Sequence, residues 1–137
     1  MLVIPAAIRR ELEEHAAAEA PNEACGLIAF RDGVAERFRP ADNAAASPYR
    51  FQLKPRDLED FYLEDEGYEL AVWHSHPTES ARPSRTDIEN IGLWEGKPYL
   101  ILSRPLGELR AWVIRDGRID EIAIGGSRIT VAPSRSR

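Results

Sequence analysis

The chain has 137 residues, of which 43% are hydrophobic and 30% charged, and its net charge is −5. That balance excludes a disordered chain, allows one real core, and offers no basic surface for nucleic acid. A single cysteine, Cys25, excludes an internal disulfide. No stretch approaches a membrane span, and Met1–Pro5, followed by Arg9, Arg10 and Glu11, is too short an apolar run for a secretion signal, so a reducing cytoplasm is the expected location.

Residues 5–20 read as a helix. Pro5 suits a first turn, Ile8 and Leu12 lie four apart, Ala16 to Ala18 favour helix, and Pro21 ends it. His15, with Glu11 and Glu19 each four positions away, reads as a surface residue. Ala24 to Phe30 reads as a buried strand containing Cys25 as a small packed side chain. Asp32-Gly33 is a hairpin turn signal, and Val34 to Arg39 would return as the second strand. Pro40 to Pro48 reads as a loop and Tyr49 to Leu53 as a short strand. Pro55 opens an expected second helix with Leu58, Phe61 and Tyr62 on its apolar side, a solvated acidic side, and Gly67 as its stop.

Glu69 to His76 is the expected central strand, with Trp73 in the core. Ser84 to Glu95 reads as a third helix that turns Ile88 and Ile91 inward, with Trp94 also in the core. Pro98 to Ser103 is another buried strand. Glu108 to Arg115 alternates Leu109, Ala111 and Val113 against Arg110, Trp112 and Ile114, which puts Trp112 on the more polar side. Asp116-Gly117 signals a second hairpin, and Arg118 to Ile124 the last strand. Strands joined by helices beside strands joined by tight turns predict an α/β fold: a mixed, partly antiparallel sheet packed by about three helices. One domain is expected over residues 1–124. Residues 125–137 read as a basic tail in which Ile129-Thr130-Val131 adds an edge strand or frays, and Gly125-Gly126 as a turn pair.

The chemistry concentrates in Trp73-His74-Ser75-His76-Pro77 and Pro83-Ser84-Arg85-Thr86-Asp87. On a strand, residues two apart share a face, so His74 and His76 can share a cation. Ten residues carrying Pro77 and Pro83 then form a loop to Asp87. The Ser84-x-x-Asp87 spacing is that of a helix start, with Ser84 as N-cap. Two nitrogens and one oxygen leave a fourth tetrahedral position open, which is the arrangement of a catalytic zinc site with a bound water. Such a site needs a carboxylate to move the proton, and Glu23, ahead of the first core strand, is the candidate. Ser84 has two readings: a helix cap, or a hydroxyl that donates to a developing oxyanion.

Glu23, His74-Ser75-His76-Pro77, Ser84 and Asp87 together resemble the JAMM motif of the MPN-type (Mov34/PAD-1) metalloproteases. Asn22 to Leu27 and Asn43 to Phe51 resemble further segments of that family. The length and the Pro83 to Asp87 run are similar to its small stand-alone bacterial members. The resemblance implies an MPN/JAB, cytidine-deaminase-like layered fold. It implies one zinc ion held by His74, His76 and Asp87, with Glu23 as general base and acid and Ser84 steadying the tetrahedral intermediate. It implies a substrate that is a small ubiquitin-like or sulfur-carrier protein with a Gly-Gly C-terminus, joined to cysteine or lysine. It implies neither nucleic acid nor membrane as partner, and a homodimer stays open. The long insertions that eukaryotic members use to grip ubiquitin have no room here, which favours a prokaryotic carrier.

Two alternatives compete. A two-His-one-carboxylate iron oxygenase uses the same ligand types, but usually with the carboxylate two after the first histidine. A non-catalytic scaffold of the same fold is expected to have lost ligands, and every motif position is filled here.

Overall fold

The structure is a computed structural model that describes residues 1–125. Among the described residues nine strands join in one mixed sheet. Along the chain these are β1 (Leu2–Val3), β2 (Cys25–Arg31), β3 (Val34–Asn43), β4 (Leu53–Pro55), β5 (Glu69–His76), β6 (Tyr99–Ser103), β7 (Glu108–Arg115), β8 (Arg118–Ile122) and β9 (Ile124–Gly125). Their spatial order is β8-β7-β6-β5-β2-β3-β1-β9, with β4 also paired to β3. The α/β reading of the sequence therefore stands.

β5 lies at the centre because Leu70 to Trp73 is apolar on both faces and needs cover on each side. It pairs antiparallel with β2, setting Cys25 opposite His74, and parallel with β6, setting Val72 beside Tyr99. The parallel step requires a crossover, and the loop and helix after His76 supply it. One face is covered by α1 (Ala6–Glu19), where Ile8 and Leu12 pack with Ile28, Phe30, Trp73 and Leu100. The other face carries Val72, Tyr99, Ile101, Trp112 and Ile114 below the crossover. Both hairpin signals form as read: Asp32 and Gly33, then Asp116 and Gly117, all have positive φ, the geometry that lets a tight turn follow the strand twist.

Several expectations are corrected. His15 is buried, its Nε2–H shared between the carbonyls of Cys25 and Ala41 at 3.1 and 3.2 Å, with its ring against both Phe38 and Trp73. β3 runs on through Asn43, so Pro40 to Asn43 is strand rather than loop, and the following short strand starts at Leu53 instead of Tyr49. The second helix is absent. Two 3₁₀ turns, Leu58–Tyr62 and Glu64–Glu66, replace it, and Leu58, Phe61 and Tyr62 face solvent. The segment is anchored instead by Leu63, fully buried, and by Asp60, whose Oδ1 accepts from Arg39 Nε at 2.6 Å.

The third helix, α2, is a short one, Arg85–Glu89, followed by a 3₁₀ turn at Gly92–Trp94. Gly92 at φ +50° interrupts the winding, and Trp94 is half-buried rather than core. Trp112 is buried, its indole N–H donating to the Ala81 carbonyl at 2.8 Å, with Arg110 over its ring. The last strand breaks after Ile122, and Gly125 belongs to the sheet, opposite Val3 of β1. The Ile129 to Val131 strand and Gly126 lie outside the described residues. No helix among the described residues is long and apolar enough to cross a membrane.

Candidate metal centre

The carboxyl end of β5 carries His74 and His76 on the face away from α1, and both are buried. Their Nε2 atoms stand 3.1 Å apart. The crossover returns Asp87 to the same point: its Oδ1 is 3.2 Å from His74 Nε2 and its Oδ2 is 3.1 Å from His76 Nε2. Metal–ligand bonds of 2.0–2.1 Å at tetrahedral angles give ligand separations of about 3.3 Å. The His74–His76 spacing fits two ligands of one first-row metal ion, and Asp87 faces each histidine with a different oxygen.

The tautomers agree. His76 Nδ1–H donates to the Ser80 carbonyl at 2.6 Å, which leaves the Nε2 lone pair facing the centre. His74 Nδ1 is buried with no hydrogen-bond partner among the described residues, and Phe51 stacks on the ring at 4.5 Å.

α2 positions Asp87 through a capping box. Ser84 Oγ accepts from Asp87 N at 3.1 Å, and Asp87 Oδ2 accepts from Ser84 N at 2.9 Å. Because Ser84 Oγ accepts in this pair, its hydroxyl proton remains available to another acceptor. Tyr99 OH donates to Asp87 Oδ1 at 3.1 Å.

Glu23 sits in the turn before β2, and its backbone neighbourhood is tied down three ways. Glu23 N donates to the Ser47 carbonyl at 2.9 Å, Asn43 Nδ2 donates to the Glu23 carbonyl at 3.0 Å, and Ala24 N donates to Ser75 Oγ at 2.9 Å. These ties aim the side chain inward. Glu23 Oε1 is buried without a hydrogen-bond partner among the described residues, 3.9 Å from His74 Nε2. One ligand atom from each of Glu23, His74 and His76 lies within 4.8 Å of the others. The glutamate is thus within reach of the centre but wider of it than Asp87.

The electrostatics separate the two carboxylates. Burial, then the charge of Asp87, pushes the Glu23 carboxyl up to about 8. Burial also works to raise Asp87, but the adjacent histidines and the Ser84 N–H prevail and hold it well below the usual carboxylate range. His74 is lowered by burial, which keeps it neutral as a ligand must be. Burial works to lower His76, but hydrogen bonding to Asp87 and the Ser80 carbonyl, with the Asp87 and Glu23 charges, together raise it. One acid is therefore held as an anion beside two imidazoles, and the other is poised to exchange a proton near neutral pH.

All five residues picked from the motif come together here: Glu23 and Asp87 each reach the histidines, and Ser84 is bonded to Asp87. Tyr99, Phe51 and the Ser80 carbonyl were not foreseen. Tyr99 looks like core from its apolar strand, and nothing local in the sequence marks Ser80.

Residues 5–115 match the family described as prokaryotic homologs of the JAB domain. The chain belongs to this family. It is similar to the CysO-cysteine peptidase of Mycobacterium tuberculosis, 32% identical with 88% of each chain covered. It is 34% identical to the desampylase of Haloferax volcanii over 72% of this chain and 73% of that one. It also matches tail tip assembly protein K of Escherichia phage N15 at 40% identity, but spans 38% of that longer protein while 70% of its own length is covered. Among solved structures, protein DSY2949 of Desulfitobacterium hafniense is 31% identical, with a TM-score of 0.77 and 90% and 91% of the two chains covered. A JAB1/MPN domain protein of Archaeoglobus fulgidus, at 17% identity and a TM-score of 0.54 over 90% and 96%, shares the fold. This JAB-family chain is an enzyme of the JAMM peptidase type, which sets aside the oxygenase and scaffold alternatives.

Proposed function

We propose that this protein hydrolyses the peptide or isopeptide bond after the C-terminal glycine of a small ubiquitin-like or sulfur-carrier protein, with zinc held by His74, His76 and Asp87. The observation that carries the proposal is the convergence of His74, His76 and Asp87, at 3.1 to 3.2 Å, with a buried Glu23 whose Oε1 lies 3.9 Å from His74 Nε2. Zinc bound there supplies a Lewis acid and brings the pKa of a water toward 7.

Glu23 takes the proton of the attacking water and hands it to the departing amine. At 3.9 Å from His74 Nε2 its oxygen stands outside the ligand spacing of about 3.3 Å, which suits a group that contacts the water rather than the ion. A carboxylate within reach of the water serves both halves of the transfer, first as base and then as acid. Ser84, with its hydroxyl proton uncommitted, donates to the oxygen that develops negative charge at the scissile carbonyl.

A pocket of about 390 Å³ lies between Arg50–Leu53 and Asn90–Trp94, and Phe51, which stacks on His74, lines it. Leu53, Leu93 and Trp94 continue it into a second part of about 350 Å³ toward Phe61 and Leu70. A cleft with this mixed polar and apolar lining suits an extended carrier tail. Leu93, at the junction of the two parts, and Phe61, lining the second, are exposed and suit the folded body of the carrier.

The test uses carrier proteins ending in Gly-Gly, each bearing a cysteine or lysine adduct, with intact mass read with and without a chelator. Release of the carrier that a chelator stops, and that Glu23→Gln abolishes while zinc stays bound, is the expected result. Release unaffected by the chelator would overturn the proposal. Loss of zinc from Glu23→Gln would make Glu23 a ligand instead of the proton carrier.

A further inference from the structure

A carboxylate offers about four acceptor positions, two on each oxygen, and all four of Asp87 face a partner. Oδ2 takes the Ser84 N–H at 2.9 Å and faces His76 Nε2 at 3.1 Å. Oδ1 takes the Tyr99 hydroxyl at 3.1 Å and faces His74 Nε2 at 3.2 Å. The two donors thus sit on opposite oxygens, and the two imidazoles occupy the remaining positions. We infer that Tyr99 is a positioning residue that locks the plane of the Asp87 carboxylate for metal binding. This inference rests on the assignment of His74, His76 and Asp87 as ligands.

The mechanical argument is direct. Held by the Ser84 N–H alone, the carboxylate can still turn about its Cβ–Cγ bond, a torsion with broad preferences. A second donor on the other oxygen removes that freedom. The hydroxyl also comes from the right place. Tyr99 is buried on β6, and β6 pairs in parallel with β5, Val72 beside Tyr99 and His74 beside Ile101. The same ladder that carries both histidines therefore carries the group that orients the third ligand. The Tyr99 ring adds an edge contact to His74, 5.2 Å between centroids, so one side chain touches two of the three ligands. Outer partners of this kind typically change metal affinity by about 10–100-fold when removed.

Tyr99→Phe tests the inference, since it keeps the ring against His74 and removes only the hydroxyl. Three measurements are made: zinc affinity by competition with a chelator, the visible absorption of the cobalt-substituted protein, and thermal unfolding of the metal-free protein. The expected result is zinc binding weakened about 10–100-fold, with an altered cobalt spectrum. Unchanged zinc affinity and an unchanged cobalt spectrum would overturn the inference, and a lowered metal-free unfolding temperature alongside them would show an ordinary structural hydrogen bond. Wild-type protein that takes up no zinc would overturn it together with the ligand assignment. Zinc bound by the wild type without cleavage of any carrier adduct would sink the peptidase proposal and leave this one standing on its own measurement.

Discussion

Replacing Glu23 by glutamine should change how the metal-free protein responds to pH. The carboxyl is buried, lacks a hydrogen-bond partner on Oε1, and lies near the Asp87 anion, which together raise it from 4.5 to about 8. Its folded pKa is above its unfolded value, so the folded state binds the extra proton. The contribution of this group to stability is complete below about pH 4.5, falls as pH rises toward 8, and levels off above it. Each pH unit inside that window corresponds to about 1.4 kcal/mol. Between pH 5.5 and 7.5 wild type should therefore lose about 2–3 kcal/mol relative to Glu23→Gln. For a chain of this length that is about 8 °C in unfolding temperature. The assay is thermal unfolding of both metal-free proteins across that range. Their difference cancels every other titrating group that the two share. Parallel curves, or a wild type that gains on the variant as pH rises, would refute the argument that Glu23 is buried as a protonated acid.

Other perturbations probe the frame around the site. Ser84→Ala should cost about 1 kcal/mol through the lost cap and slow turnover about 10²-fold; an unchanged rate against a carrier adduct would leave Ser84 as a cap alone. His15→Leu removes the donor shared by the Cys25 and Ala41 carbonyls and should destabilise by about 2–3 kcal/mol, read as a lower urea midpoint; an unmoved midpoint would refute the buried role of His15. Gly26→Ala should misfold or destabilise strongly, because a Cβ there would stand 2.6 Å from the Phe38 ring and 2.7 Å from the Arg39 carbonyl. Soluble variant with a wild-type melting temperature would contradict that close approach.

The strands were legible because their signal is local. Apolar runs such as Leu70 to Trp73, and turn pairs such as Asp32-Gly33, state strand and hairpin within a few residues. The candidate site was legible because His74, His76, Ser84 and Asp87 lie at fixed offsets along one strand and one helix start. What failed depends on distant partners. His15 has acidic neighbours along the helix, yet it is buried by acceptors 10 and 26 residues away. The apolar spacing of Leu58, Phe61 and Tyr62 suggested an inward helix face. Arg39 instead claimed Asp60, Leu63 took the core position, and the three apolar side chains were left outside. Tyr99 was missed for the same reason: only the crossover brings Asp87 to its hydroxyl.

The capping box at Ser84 and Asp87 has a consequence for how the protein matures. A helix as short as Arg85–Glu89 cannot hold itself in water. Its winding relies on the very carboxylate that faces the two imidazoles, so local folding and assembly of the ion's cage are one event. Loss of that carboxylate would remove one half of the cap on the segment that presents it, a cost of about 1 kcal/mol. Local stability and the candidate centre are thereby tied to one side chain.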